Sequence, residues 1–186
     1  MRPRIAILLA TCIFALIAAA PKAPEESPAL IGALHLYNSH EQFAARLGNG
    51  EGGKDLGRYT NEVVRITGEF AASFPKPRPT GVFIGIGVKP GKQARCWCES
   101  IEGEITPEKL KELEEKLAKI PAPQIKQGPI ALGLSIEFFG KTPPFQPYPL
   151  SWARATNAAG RNVPITPDEL FKLIWPDTAA AANDDK

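Results

Sequence analysis

Two cysteines separated by one tryptophan, Cys96-Trp97-Cys98, are the residues of this chain best suited to chemistry. On a strand both thiols would point to one face, with Cα atoms ~6.5 Å apart, near the upper limit for a disulfide. The pair could be reduced thiols or a strained disulfide in the core, since free cysteine is among the most buried residue types. It could also be a redox-active dithiol, although it lacks the helix start that lowers the pKa of such thiols.

The same two thiols could bind a soft metal ion if further ligands joined them. The chain has two histidines, His35 and His40, and these would complete such a site. They flank the predicted start of a helix, so their side chains need not converge. The alternative is that both are surface residues near a helix cap, and we expect no resident cofactor.

One face of the predicted sheet is a second candidate site. Gly85, Gly87 and Gly133 share this face with Trp97 and Ser135. The glycines could leave a shallow groove with an aromatic edge, which would suit a peptide or a small ligand. Alternatively, Trp97 packs over the glycines or a helix covers them, because both faces of a sheet in a chain of this size are usually covered.

A proline-rich segment brings together three aromatic residues, Phe145, Tyr148 and Trp152. It could be an extended polyproline-type arm that presents these rings to a partner. The alternative is a strap laid over the core, in which each buried ring contributes ~1.5–3 kcal/mol.

Evidence for enzyme chemistry is weak. The sequence contains no G-x-S-x-G, no H-E-x-x-H and no phosphate-binding loop. Its carboxylates cluster on predicted solvent-facing helix surfaces, where they are typical of surface ion pairs. Glu102 and Glu104 could pair in one loop, but a single pair carries little weight. A non-enzymatic role is therefore favoured, with enzymatic activity left open.

The N-terminus has the pattern of a secretory signal peptide. Arg2 and Arg4 precede an apolar run over 5–20 that ends in three alanines. The run is shorter than the ~20 residues of a membrane-spanning helix. We therefore expect cleavage after residue 20, a periplasmic or secreted protein, and no stable membrane insertion.

The charge balance excludes one class of partner. Arg2 and Arg4 belong to the predicted signal and are two of the 22 basic residues, so the remainder carries 20 basic and 20 acidic residues. A neutral domain has no long-range attraction for nucleic acid, and we expect no nucleic-acid partner.

The elements that must position these residues follow from hydrophobic spacing. Steps of three and four residues predict two main amphipathic helices, at 56–74 and 107–120, with shorter helices at 40–47 and 167–175. Strict alternation predicts a hairpin over 82–100 and a third strand over 129–139. If the numbers of paired residues in the two arms add up to an even sum, the two cysteines lie on the same face as the aliphatic residues. Trp97 then lies on the other face of the hairpin. The four glycines within 48–53 predict a flexible turn.

The sequence therefore predicts an α+β fold, a small antiparallel sheet packed by two main helices. We expect a single domain over 29–177, preceded by a disordered proline-rich leader at 21–28 and followed by a disordered tail at 178–186.

The order of elements over 82–139, hairpin, helix, proline-rich connector and strand, resembles the C-terminal domain of TonB and TolA proteins. Tyr148-Pro149 is also similar to the Tyr-Pro segment that opens the TonB domain, although here it follows the sheet. The resemblance implies a ββαβ core and a periplasmic interaction scaffold whose sheet edge is open to a partner strand.

These observations favour a non-enzymatic binding or protein-interaction module whose partner is an envelope protein or a peptide. The alternative is a periplasmic thiol-redox or soft-metal-handling protein that uses Cys96 and Cys98. The oligomeric state is left open by the sequence.

Overall fold

The computed structural model describes residues 29–48, 50–74, 79–100, 104–140, 148–161 and 165–177. The predictions of a signal peptide at 1–20, a leader at 21–28 and a tail at 178–186 lie outside these residues. In chain order the elements are β1 Ala29–Leu36, α1 His40–Leu47, α2 Glu51–Ala72, β2 Thr80–Lys89, β3 Gln93–Ser100, α3 Pro107–Leu117, β4 Ile130–Phe138, α4 Leu150–Ala158 and α5 Pro167–Ile174.

The strands form one antiparallel sheet in the order β1-β4-β2-β3. Within the described residues the chain is therefore an α+β protein of mixed helix and strand, as predicted. The hairpin register is confirmed, because Ile84 pairs with Cys98 and Ile86 pairs with Cys96. That even register puts Trp97 opposite Gly85, with its side chain on the other face of the sheet.

Each face of the sheet has its own helix layer. The aliphatic face carries Val82, Ile84, Ile86 and Val88 of β2 and is covered by α2 and α3. The aromatic face carries Trp97 and Phe83 and is covered by α4 and α5, which bury Trp152 and Phe171. Burial of these side chains is the main stabilising contribution to such a three-layered arrangement.

Three of the predicted helix starts, at 40, 107 and 167, are confirmed by their caps. Ser39 accepts a hydrogen bond from the backbone of Gln42, whose side chain bonds back, which completes a capping box. Thr166 and Glu169 form a second capping box, and Thr106 caps α3 directly before a proline at the first helical position.

Three features differ from the sequence-based expectation. Residues 29–36 form a fourth strand that was not predicted, and 150–158 form helix α4 where an extended segment was considered. Helix α2 begins at Glu51, so Gly52 and Gly53 are helical instead of belonging to a turn. Packing of α2 against the sheet compensates for the ~1 kcal/mol that each helical glycine costs relative to alanine.

Candidate functional site

The two cysteines lie on β3 and point to the aliphatic face, where α2 and α3 cover them. Both are free thiols and both are 7% exposed. The hydroxyl of Tyr59 on α2 lies 3.4 Å from Cys96 Sγ. Both belong to the core cluster that contains Ile84 and Ile86, the location that the core alternative expects.

The surroundings of the two thiols raise their pKa values. Burial raises the pKa of Cys96 to about 12, an effect opposed in part by the hydrogen bond with Tyr59. Burial also raises the pKa of Cys98 well above its usual value, and the neighbouring Cys96 and Glu114 add to the shift. A raised pKa lowers the fraction of thiolate, which is the form that acts as nucleophile and metal ligand. These raised pKa values give the redox-dithiol interpretation no support, and it stays a prediction.

The proposed metal set is not assembled. His35 lies on the aromatic face of the sheet, 5.7 Å from the Phe83 ring between centroids, and burial lowers its pKa. His40 is exposed at the first position of α1, whereas both cysteines lie under helices on the aliphatic face. Among the described residues no group of three or more histidine, cysteine or acidic side chains could hold a metal ion.

The glycine face is filled, so the groove considered from the sequence is not present. A Cβ atom placed on Gly85 would lie 2.8 Å from Cζ2 of Trp152, and one on Gly87 would lie 2.6 Å from Cζ of Phe171. At Gly133 it would lie 2.6 Å from Cζ of Phe83. The glycines let aromatic rings approach the sheet backbone, and Ser135 is buried on the same face.

The aromatic segment after β4 serves the same packing. Trp152 is fully buried on α4, with its ring centroid 5.3 Å from that of Trp97. Tyr148 is half-buried against Tyr37, with 5.3 Å between the ring centroids. The polyproline-arm interpretation is wrong at Trp152, which is helical and buried as the strap alternative expected. Phe145 lies outside the described residues.

The feature that sequence reasoning missed is the free edge of β1. β1 pairs with β4 on one side, and within the described residues no strand pairs with its other side. Its sequence, ALIGALHL, contains no Lys, Arg, Asp or Glu. Four large aliphatic side chains stay half-exposed, at 50–56% of their full accessible area: Leu30, Ile31, Leu34 and Leu36.

An apolar groove runs beside this edge. It has a volume of about 210 Å³ and lies between β1 and the helices α1 and α2. Leu34 and Leu36 form one wall, and the other wall comes from Phe43, Leu47, Gly53, Leu56, Gly57 and Thr60. Cβ atoms added to Gly53 or Gly57 would meet no atom within 4 Å, so this side of α2 is open. The strand edge and the groove together are called the β1 surface below.

Two larger clefts in the described part of the chain contain ion pairs between charged side chains. One, of about 660 Å³, lies beside α5, and its Lys89 binds Asp177 at 2.7 Å. The other, of about 370 Å³, lies beside α2 and contains the Arg58–Asp55 ion pair. The β1 surface differs from both because its exposed side chains are aliphatic.

A signal for β1 was available in the sequence. Leu30, Leu34 and Leu36 recur at even positions, which is the period of a strand, but the glycine at 32 interrupts the pattern. The structure has an irregularity in register between Ile31 and Ala33, at that glycine. A bulge of this kind shifts the faces by one residue and hides a short strand from a periodicity search.

No protein-family model, no curated protein and no solved structure matches this chain. In the described part of the chain, no helix combines the length and the apolar character needed to cross a membrane.

Proposed function

We propose that this protein is a secreted or periplasmic interaction module that binds an extended segment of a partner along the β1 surface, without catalysis. The observation that carries the proposal is an uncharged sheet edge with four half-exposed aliphatic side chains. The order hairpin, helix and strand over 82–139, which resembles TonB and TolA domains, supports the same role.

The backbone of β1 gives the first part of the interaction. An edge strand presents a row of unpaired N–H and C=O groups that a further strand can pair with. Native proteins usually block such edges with charged residues or proline, and β1 has neither. Strand addition of this kind takes its affinity from the main chain and its specificity from pockets for alternate side chains.

The side chains give the second part. Covering the exposed half of one large aliphatic side chain is worth ~0.8–1.5 kcal/mol, so four of them contribute ~3–6 kcal/mol. Association itself costs ~4–15 kcal/mol in lost freedom of motion. The strand alone therefore binds weakly, and a stable complex also requires contacts in the groove beside Leu34 and Leu36.

The alternative function, thiol-redox or soft-metal handling, has less support. Cys96 and Cys98 are buried and their pKa values are raised, and His35 lies on the opposite face of the sheet. No described contact favours that function over the interaction role.

Site-specific photo-crosslinking in cells tests the proposal. A photoreactive phenylalanine analogue replaces Leu34 on β1 or, as the matched control, Leu173 on α5, which is also an exposed leucine. We expect adducts of higher mass at position 34 and none at position 173. Replacing Leu36 by lysine in the same chain should abolish the adducts. Absence of adducts at position 34 in a folded, abundant protein would contradict the proposal.

A further inference from the structure

We infer that the occupant of the β1 surface is the β1 strand of a second copy of this chain, running antiparallel to the first. This inference rests on the proposed function, because it names the partner for the same surface. The pairing would join two four-stranded sheets into one continuous sheet of eight strands.

Symmetry makes the strand complementary to itself. A two-fold axis perpendicular to the sheet makes the two β1 strands antiparallel and keeps the aliphatic faces of both copies on the same side. Leu34 and Leu36 pair with Leu134 and Leu132 of β4, so they lie on the aliphatic face. In the dimer they would therefore meet the same leucines of the second copy, with no polar side chain opposite them.

An identical strand fits this edge better than a flexible peptide does. Within one copy β1 is already ordered by its pairing with β4, so the second copy loses little conformational freedom on binding. A peptide would have to become ordered as it binds, which lowers its affinity. In a symmetric dimer the exposed halves of four aliphatic side chains are covered on each copy, whereas a bound peptide covers only one such set.

The helix beside the edge leaves room for a second copy. Helix α2 packs on β1, so the α2 helices of two copies would flank the two-fold axis. Gly53 and Gly57 lie one turn apart on α2 and border the groove, with open space where their Cβ atoms would be. Small residues at such positions let two helices approach closely.

Charge favours this occupant as well. β1 contains no charged residue, so a strongly acidic or basic partner would find no counter-charge on the strand. The formal charge of +2 falls to zero once the predicted signal peptide with Arg2 and Arg4 is removed, so two processed copies repel each other little. The strand ALIGALHL is itself the uncharged apolar segment that the surface requires.

Sedimentation velocity over a range of concentrations tests the inference on the purified chain with its natural processing. We expect a reversible dimer, twice the mass of the single chain. Leu34→Lys places a charge at the centre of the interface in both copies and should raise the dimer dissociation constant by about 100-fold or more. Leu173→Lys, the same change on α5, should leave it unchanged, and thermal melts of both variants check that they fold.

Single-cysteine crosslinking gives a second, independent readout. The third cysteine of the chain, Cys12, lies in the predicted signal peptide and is replaced by serine. Cys96 and Cys98 are buried, so a new cysteine on β1 is the accessible thiol in the described part of the chain. We expect an intermolecular disulfide on mild oxidation when the new cysteine is the residue nearest the two-fold axis. The four variants to compare are Ala33→Cys, Leu34→Cys, His35→Cys and Leu36→Cys. The background chain without a new cysteine is the control.

The outcomes separate this inference from the proposed function. A monomer at all concentrations, with no crosslink at 33–36, overturns the inference. If photo-crosslinking at position 34 then captures a different protein, the interaction role stands with another partner. If it captures nothing, both are overturned.

Discussion

The two edges of the sheet are built in opposite ways. β3 packs against α3, and Glu114 of that helix accepts a hydrogen bond from the Cys98 backbone N–H at 2.7 Å. β3 also carries Arg95 and Glu99, and the Glu99 carboxylate caps α4 by accepting from the backbone of Leu150 and Ser151 at 2.7 Å. β1 has no charged residue and leaves its aliphatic side chains half-exposed.

If the proposed function holds, this difference assigns stability to one edge of the sheet and binding to the other. Groups on the β3 edge are bonded inside the chain, so changes there should alter the free energy of unfolding. The large aliphatic side chains of β1 are half-exposed, so changes to them should alter association and leave unfolding almost unaffected. The predictions below test that separation, from the largest expected effect to the smallest.

The largest effect is expected beneath the covered edge. Leu113 of α3 is fully buried, so Leu113→Ala should lower the free energy of unfolding by ~2–5 kcal/mol, as large-to-small core substitutions do. Leu34→Ala, the same change on the exposed edge, should cost less than ~1 kcal/mol. Urea unfolding of both variants at low protein concentration is the measurement. Equal decreases in the free energy of unfolding would contradict the proposed difference between the two edges.

The second-largest effect is expected from the hydrogen bond between the Cys98 backbone N–H on β3 and the Glu114 carboxylate. Glu114→Ala leaves the Cys98 N–H without its acceptor and should lower the free energy of unfolding by ~1–3 kcal/mol. Glu115→Ala, on the exposed side of the same helix, is the matched control and should change it by less than ~0.5 kcal/mol. If the two variants unfolded at the same urea concentration, the hydrogen bond between Cys98 and Glu114 would not contribute to stability.

The buried thiols give the covered edge a characteristic pH dependence. The unfolded chain loses its thiol protons above pH ~8.5, whereas the folded chain keeps that of Cys96 up to about 12. Between these values the unfolded state binds fewer protons, so the free energy of unfolding falls as the pH rises. We expect a shallower fall from pH 8 to pH 10.5 in Cys96→Ala than in the unaltered chain, measured by urea unfolding. Parallel curves for the two proteins would mean that this thiol is not held protonated.

The smallest effect is expected from a charge on the free edge. Leu30 is 53% exposed, so Leu30→Lys should change the free energy of unfolding of the dilute protein by no more than ~0.5 kcal/mol. Thermal or urea unfolding is again the measurement, with Leu173→Lys on α5 as the control. A loss above ~2 kcal/mol would show that the β1 edge is covered within the chain.

Much of the fold could be predicted because its signals are local. The capping residues Ser39, Thr106 and Thr166 each bond to a backbone N–H three residues ahead, so short sequence windows contain the whole interaction. The hairpin register followed from alternation on both arms and is confirmed by the pairing of Ile86 with Cys96. β1 and α4 were missed because a bulge interrupts one pattern and prolines precede the other.

The candidate sites were harder to predict because they depend on distant residues. Nothing near Gly85 in the sequence indicates that Trp152 will fill the space above it. The character of Cys96 likewise depends on Tyr59 and on burial under two helices, not on the Cys-Trp-Cys spacing. The exposure of β1 follows from its place at the end of the strand order, which a single sequence does not specify.

Amide hydrogen exchange at two protein concentrations tests the role of the β1 edge most directly. At low concentration the outward amides of Leu34 and Leu36 should exchange fast, while the Cys98 amide, bonded to Glu114, stays protected. At high concentration exchange in 29–36 should slow markedly and that of 93–100 should stay the same. Equal protection of β1 at both concentrations, already as strong as that of β3, would contradict an open binding edge.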